Sequence, residues 1–225
     1  MKKISTSRYA EHGKYTKREK MVKLLKEYGI RDRRILDAFL TIPRHLFMPE
    51  DENERSYRDQ AVPIGCGQTI SQPYVVALML ELLELKPQDK VLEIGSGSGY
   101  VTALLSLLVK KITGIELEED LAKRSKKVLQ KLNIDNVDIF CKDGHSGHSA
   151  RAPYDIILLS AAPEALPENL LSQLKPSGKL ILPVGKFDQL LVLYEQKDGE
   201  WKGNVITDVH FVPLRKKDES NSHKN

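Results

Sequence analysis

Val91-Leu92-Glu93-Ile94-Gly95-Ser96-Gly97-Ser98-Gly99 is the stretch whose reading decides the fold. A short, mostly apolar run passes directly into glycines at alternate positions. An apolar pattern at helical spacing follows at Val101, Leu104, Leu105 and Leu108. The spacing predicts a buried parallel strand, a tight turn and a helix. Glycine at the turn lets the backbone bend sharply and approach a ligand closely, because no side chain intervenes.

Downstream of this stretch, strands and helices alternate. The expected strands are Val91–Ile94, Ile112–Ile115, Val137–Phe140, Ile156–Leu159, Lys179–Leu182, Leu190–Tyr194 and Ile206–Phe211. The expected helices are Tyr100–Leu108, Leu117–Leu132, with Asn133 as its stop, and Pro167–Gln173. Strands separated by helices imply a doubly wound α/β sheet, mostly parallel. No helix separates the last two strands, and Asp198-Gly199 is a turn signal, so they should form an antiparallel hairpin at one edge.

Upstream, Arg18–Tyr28 reads as an amphipathic helix ending at Gly29. Asp32 is the expected N-cap of a second helix carrying Ile35, Leu36, Phe39 and Leu40, closed by Pro43. Glu50 to Asp59 is strongly charged and reads as an exposed turn or helix. Ala61 to Pro73 has prolines, glycines and hydroxyls without a helical period, so it reads as a loop or a short extended segment. Pro73 suits the first turn of a third helix, which Lys86-Pro87 ends. The expected organisation is a basic, mobile arm over residues 1–17, one domain over 18–215 and a disordered tail over 216–225. Within the domain, 18–88 supplies N-terminal helices and a loop, and 89–215 the α/β core.

The 225 residues suffice for one sizeable core. The net charge of +4 lies largely in the ends and does not argue for nucleic acid. No apolar run approaches the roughly 18 residues of a membrane span, and no apolar segment follows the basic N-terminus to make a secretory signal. Cys66 and Cys141 make no metal-type spacing and read as reduced, semi-buried small residues. These features point to a cytoplasmic protein.

In an open α/β sheet, ligands sit beyond the carboxyl ends of the strands. The informative residues are therefore the glycine loop, Glu116, Asp143-Gly144 and Ser160-Ala161-Ala162. Glu116 lies about twenty residues past the glycines, where a carboxylate can accept both ribose hydroxyls of an adenosine, or serve only as a surface carboxylate at a strand end beside Glu118, Glu119 and Asp120. Asp143 can accept from an adenine amino group, or serve only as a turn aspartate before glycine. The dinucleotide fingerprint requires Gly-x-Gly-x-x-Gly. Here the last glycine comes one residue early, and Glu93 would repel a pyrophosphate. A carboxylate at that position suits a cofactor with an ammonium and a sulfonium, which favours S-adenosylmethionine over NAD. His145 and His148 have no third ligand at a sensible spacing, so no metal is expected. Trp201 reads as edge packing. Gln68-Thr69-Ile70-Ser71-Gln72-Pro73 reads either as a functional loop or as the N-cap of the third helix, through Ser71 or Gln72. Nothing pairs Ser71 with a His and an Asp as in a catalytic triad.

The chain resembles the protein-L-isoaspartate O-methyltransferase family. The resemblance is carried by Pro43-Arg44-His45-x-Phe47-x-Pro49, Pro63-Ile64-Gly65-x-Gly67-Gln68-Thr69-Ile70-Ser71-Gln72-Pro73 and the glycine stretch through Tyr100. Ala152-Pro153-Tyr154-Asp155, Pro183-Val184-Gly185 and Phe211-Val212-Pro213-Leu214 extend it, so that it covers Arg18 to Leu214. The Thr-Ile-Ser-x-Pro segment is more specific than the glycine loop. The resemblance implies a Rossmann-like class I methyltransferase with a mostly parallel seven-stranded sheet. It implies methyl transfer from S-adenosylmethionine to the α-carboxylate of L-isoaspartyl residues in damaged proteins and peptides. By the resemblance Ser71 is the catalytic position, a hydrogen-bond donor that steers the carboxylate. Substrate contacts are expected from Thr69, Ile70, Ser71, Gln72, Val212 and Pro213. Cofactor contacts are expected from Gln68, Thr69, Ser71, Glu93, Gly95, Ser96, Gly97, Ser98, Glu116, Leu117, Asp143 and Gly144. The expected partners are isoaspartyl proteins and peptides, with no nucleic acid or membrane, and the expected state is a monomer. The rivals are a carboxyl methyltransferase for aspartate in one dedicated peptide and a non-catalytic adaptor that keeps the cofactor fold.

Overall fold

The run before the glycines forms β3 (Lys90–Ile94), and Val91 to Ile94 are all buried, Glu93 included. A strand covered on both faces has no solvent side, hence the nearly continuous apolar run. The computed structural model describes residues 12–216. Over these residues β3 pairs in parallel with β4 (Lys111–Glu116) on one side and β6 (Tyr154–Leu159) on the other. The seven-stranded sheet has the order β5-β4-β3-β6-β7-β8-β9, with β5 at Val137–Cys141, β7 at Leu174–Val184, β8 at Gln189–Lys197 and β9 at Glu200–Val209. The chain winds one way from β3 through β4 to β5 and then returns to β6, which makes the carboxyl end of β3 the switch point.

β5, β4, β3, β6 and β7 are parallel, while β8 and β9 run antiparallel. The turn between β8 and β9 has Asp198 at φ +56° and Gly199 at +82°. Two successive left-handed residues match the twist of a tight hairpin. Alternation along the strands divides the interior in two. Val91, Ile156, Leu158 and Ile181 join the core under the N-terminal helices, whereas Leu92, Ile94, Ile157, Leu159 and Leu180 face the other way. Trp201 lies in β9 and packs on the second core.

The helices are α1 (His12–Glu27), α2 (Arg33–Thr41), α3 (Pro73–Leu82), α4 (Tyr100–Ser106) and α5 (Glu119–Lys131). The Asp32 carboxylate accepts from Arg34 N at 2.8 Å and so caps α2. Buried Arg18 donates from Nη1 to the Leu40 and Thr41 carbonyls at 2.7 and 3.2 Å, tying α1 to the end of α2. Asn133, at φ +57°, ends the turn after α5.

Several expectations change. α1 begins at His12, so residues 12–17 belong to a helix rather than to an arm; a helix nucleated by packing propagates into polar residues that carry no apolar period. The rest of the arm, residues 1–11, and the tail beyond Lys216 lie outside the described residues. Ala61–Pro73 is a hairpin of β1 (Val62–Gly65) and β2 (Gln68–Ile70). Its turn holds Gly65, Cys66 and Gly67 at φ +87°, +54° and +66°, a left-handed run that glycine makes tolerable. Pro167–Gln173 is a 3-10 turn over Glu168–Gln173 rather than an α-helix. β7 begins at Leu174 rather than Lys179, α5 begins at Glu119 rather than Leu117, and β9 lies at Glu200–Val209 rather than Ile206–Phe211. Both cysteines are exposed rather than semi-buried.

Candidate active site

The loop after β3 folds back on β4. Gly95 N and Ser96 N both donate to the Ile115 carbonyl at 2.9 Å, and Gly97 N donates to Glu116 Oε2 at 2.6 Å. Gly95 and Gly97, at φ +77° and +52°, take the left-handed geometry this reversal needs. Gly99 answers a different demand. A Cβ there would lie 2.9 Å from Ser125 Cβ, so this glycine lets α5 pack against the loop.

One cavity opens at the carboxyl ends of the central strands. Gly95, Gly97, Glu116 and Leu117 line it beside Gly144 and Ser160. Gly144 sits where a Cβ would be 2.4 Å from Ile94 Cγ2, so the chain passes flush with the end of β3. A strap after β9 forms a further wall through Val212, Pro213, Leu214 and Arg215. Ala162 N donates to Val212 O and Leu214 N to Ala162 O, both at 2.8 Å. The Gln189 amide holds the strap's start, accepting from Phe211 N at 2.6 Å and donating to Phe211 O at 3.0 Å. Arg215 pairs with Glu118 at 2.7 Å, each side chain 17% exposed, and so closes the strap onto the loop after β4. From the opposite side the β1–β2 hairpin contributes Gln68 and Thr69.

Glu116 is the acidic group of this cavity. Its Oε1 accepts from Glu118 N at 2.8 Å and its Oε2 from Gly97 N. A carboxylate has about four acceptor positions, so acceptor capacity remains for a ribose hydroxyl. Burial pushes its pKa up, and the backbone donors from Glu118, Gly97 and Leu117 oppose the rise.

Glu93 does not reach the cavity. It is fully buried beneath the loop, with Oε2 accepting from Thr102 Oγ1 at 2.5 Å and Oε1 lying 3.4 Å from Ser160 Oγ. Burial raises its pKa to about 8, the two hydroxyls lower it, and Glu116 adds to the rise. Its route to a ligand runs through Ser160, which does line the cavity.

Of the other expected residues, Ile70 is a core side chain, 4% exposed. Half-buried Ser71 follows β2 and is not among the lining residues. Gln72 is the N-cap residue of α3 without a side-chain cap bond, and its amide turns to Asp59. Ser96 is buried, and Ser98 opens onto a separate apolar crevice with Phe47, Ile64 and Leu121. Asp143 Oδ1 accepts from His145 N at 2.8 Å and lies 2.8 Å from His145 Nδ1, so its carboxylate shapes the turn while Gly144 faces the cavity. His148 stacks on Phe140 at 4.5 Å. Among the described residues no group of three or more His, Cys, Asp or Glu could hold a metal ion. The sequence reading missed Leu214, Arg215, Ile94 and Ile115 as lining residues. Glu118-to-Arg215 charge complementarity was available as a signal, but nothing local pairs positions so far apart.

This donor set fits S-adenosylmethionine. The remaining acceptor capacity of Glu116 suits a ribose hydroxyl, the glycine backbone allows close approach, and the one basic lining residue, Arg215, is engaged with Glu118.

The family model described as Protein-L-isoaspartate(D-aspartate) O-methyltransferase (PCMT) matches residues 16–219. The chain is 48% identical over 198 residues to a protein-L-isoaspartate O-methyltransferase of Roseiflexus sp. (strain RS-1), covering 88% of this chain and 91% of that one. It is 44% identical over 215 residues to the enzyme of that name from Dictyoglomus thermophilum, covering 95% and 96%. A solved protein-L-isoaspartate O-methyltransferase superimposes with a TM-score of 0.81 at 31% identity, covering 89% of this chain and 66% of that one. A Plasmodium falciparum structure described as such an enzyme, in complex with S-adenosyl-L-homocysteine, gives 0.78 at 29%, covering 88% and 98%.

Proposed function

The chain belongs to the protein-L-isoaspartate(D-aspartate) O-methyltransferase family, and from that premise we propose how its residues carry the reaction. The protein is an S-adenosylmethionine-dependent methyltransferase that methylates isoaspartyl residues of proteins and peptides. The observation that carries the assignment of roles is one shared cavity: Gln68 and Thr69 of the hairpin line it together with Gly95, Gly97 and Glu116.

S-adenosylmethionine supplies a methyl group on a cationic sulfur. Glu116 would accept from the ribose hydroxyls while its other lone pairs hold Gly97 N and Glu118 N. Leu117 and Gly144, which line the cavity, would hold the adenine end of the cofactor, and Gly95 and Ser160 its amino-acid end. Glu93 lies behind Ser160, and through its Oε1, 3.4 Å from the Ser160 hydroxyl, it would orient that hydroxyl toward the amino-acid end. The substrate α-carboxylate is already ionised at neutral pH, so no general base is required. The chain's task is to hold the reacting atoms in line and exclude water, which can supply about 7–11 kcal/mol. Thr69 and the Val212–Pro213 strap form the walls of the substrate passage. Ser71, on the hairpin that bears Thr69, orients the carboxylate as the hairpin closes. Ile70 acts from the core as the hairpin's anchor.

We assign these roles to one domain over residues 18–215. Among the described residues no helix is long and apolar enough to cross a membrane. Our reading is a cytoplasmic monomer acting on proteins and peptides, with no part for nucleic acid or membrane. The deciding experiment is methyl transfer to an isoaspartyl peptide beside its aspartyl twin. Transfer to the isoaspartyl peptide alone is expected. Transfer to neither peptide, with S-adenosylhomocysteine still bound, would return the chain to the non-catalytic adaptor.

A further inference from the structure

Helix α3 starts immediately after the hairpin that carries Thr69 and Ser71, yet it has no cap of its own. Gln72 stands at the N-cap position without a side-chain bond to the helix, and Pro73 follows it. The first backbone donors of a helix need acceptors from elsewhere. One of them is met by a residue well upstream. Asp59 Oδ1 accepts from Tyr74 N at 2.8 Å, and Asp59 Oδ2 accepts from Gln72 Nε2 at 2.8 Å. One carboxylate thus grips both the backbone and the side chain of the short segment that follows Ser71, and its charge complements the helix N-terminus.

Asp59 is itself backed by buried structure. The neighbouring Gln60 carbonyl accepts from Arg44 Nη2 at 3.3 Å, and the fully buried Arg44 guanidinium lies 5.1 Å from the centre of the Tyr100 ring. Tyr100 is the first residue of α4, directly after the glycine loop. Burial lowers the Arg44 pKa to about 10, and the fields of Tyr100, Tyr57 and Asp59 oppose that fall. The cluster therefore links the end of the substrate hairpin to the end of the glycine loop through Asp59, Gln60, Arg44 and Tyr100.

We propose that Asp59 is a positioning residue for methyl transfer: by holding Gln72 and Tyr74 it fixes where the Thr69–Ser71 backbone meets the cavity. The proposal rests on the methyltransferase reading above. Asp59 is not among the residues that line the cavity. It restricts the hairpin's far end, so that closure occurs about a defined hinge. Misplacing a reacting group by about 1 Å can cost on the order of 100-fold.

The test compares Asp59→Ala, Asp59→Asn and Gln72→Ala with wild type. Asn keeps the acceptor for Tyr74 N, and a flipped Gln72 amide can accept from its Nδ2. Asp59→Ala should lower kcat/KM for an isoaspartyl peptide by about 10–100-fold, chiefly through KM. S-adenosylhomocysteine affinity by calorimetry should stay within about threefold, since Glu116 and the glycines are untouched. Hydrogen exchange should quicken over residues 69–75 and not in β3 or β4. Asp59→Asn should recover most of the kcat/KM and the slow exchange. Gln72→Ala, which leaves the buried cluster alone, should show the same pattern at smaller size and decides the matter if Asp59→Ala does not fold. Wild-type kcat/KM in Asp59→Ala overturns the proposal, and so does wild-type kcat/KM in Gln72→Ala where that variant decides. An equal loss of cofactor affinity and turnover also overturns it, as does exchange that quickens throughout the sheet. A wild-type enzyme that transfers no methyl group would instead overturn the methyltransferase reading.

Discussion

Glu93→Gln tests whether a carboxyl group can sit uncharged at the base of this site. The Glu93 side chain is fully buried, and its partners are the Thr102 and Ser160 hydroxyls. Burial places its pKa at about 8, against 4.5 for an ordinary glutamate. Between those values the folded state holds a proton that the unfolded state has released. Stability should therefore fall as pH rises, by about 1.4 kcal/mol per pH unit. The contribution is fully present below pH 4.5 and is lost as pH passes through 8. Glutamine keeps an oxygen toward Thr102 and cannot ionise. From pH 5 to pH 8 the variant should gain about 4 kcal/mol relative to wild type. At about 2–4 °C per kcal/mol for a chain of this size, the melting temperatures should diverge by about 10 °C. Thermal unfolding of both ligand-free proteins at half-unit pH intervals reads this directly. A constant difference across the range would mean that Glu93 keeps one protonation state throughout, and the burial argument would fail.

Three further substitutions probe the cavity itself. Glu116→Gln replaces charge-assisted bonds to Gly97 N and Glu118 N with weaker ones; calorimetry should show S-adenosylhomocysteine binding weakened by about 10–100-fold. Gly144→Ala puts a methyl 2.4 Å from Ile94 Cγ2; denaturant unfolding should show a loss of about 1–3 kcal/mol, with weaker cofactor binding, and an unchanged variant would mean the loop moves freely. Ser71→Ala should keep S-adenosylhomocysteine affinity and lower turnover by about tenfold; lost affinity with intact turnover would remove Ser71 from the role proposed for it.

The sheet was legible because its strands announce themselves twice. An apolar run between turn residues marks a strand, and the chain order of runs and helices then dictates parallel pairing. This held for β3, β4, β5 and β6 to within two residues at either end. It held less well where a strand leaves the core. β9 is exposed along most of its length, so its sequence carries no burial pattern to set its limits. The β1–β2 hairpin was hidden for a similar reason. Two strands of four and three residues are too short to show a period, and only Val62, Ile64 and Ile70 are buried.

The site divides along the same physical line. Gly95, Gly97, Glu116, Leu117 and Gly144 could be named in advance because parallel strands deliver their carboxyl ends to one edge, whatever the side chains do. Which neighbour faces the cavity was another matter. Glu93, Ser96, Ser98, Ile70 and Asp143 each adjoin a lining residue and yet point elsewhere: Glu93 and Ile70 because adjacent residues of a strand turn to opposite sides, the others because the loops after the strands reverse. The fastening of the walls was illegible altogether. Arg215 reaches Glu118 across 97 positions, Phe211 is held by Gln189 across 22, and Asp59 caps a helix 15 residues downstream. Such contacts join single polar residues from different elements and leave no periodic trace. Yet they fasten the strap and the hairpin to the elements around the glycine loop. The reaction asks for little acid–base chemistry and much positioning. For such an enzyme the residues least visible in the sequence should set the rate most strongly after the cofactor contacts themselves.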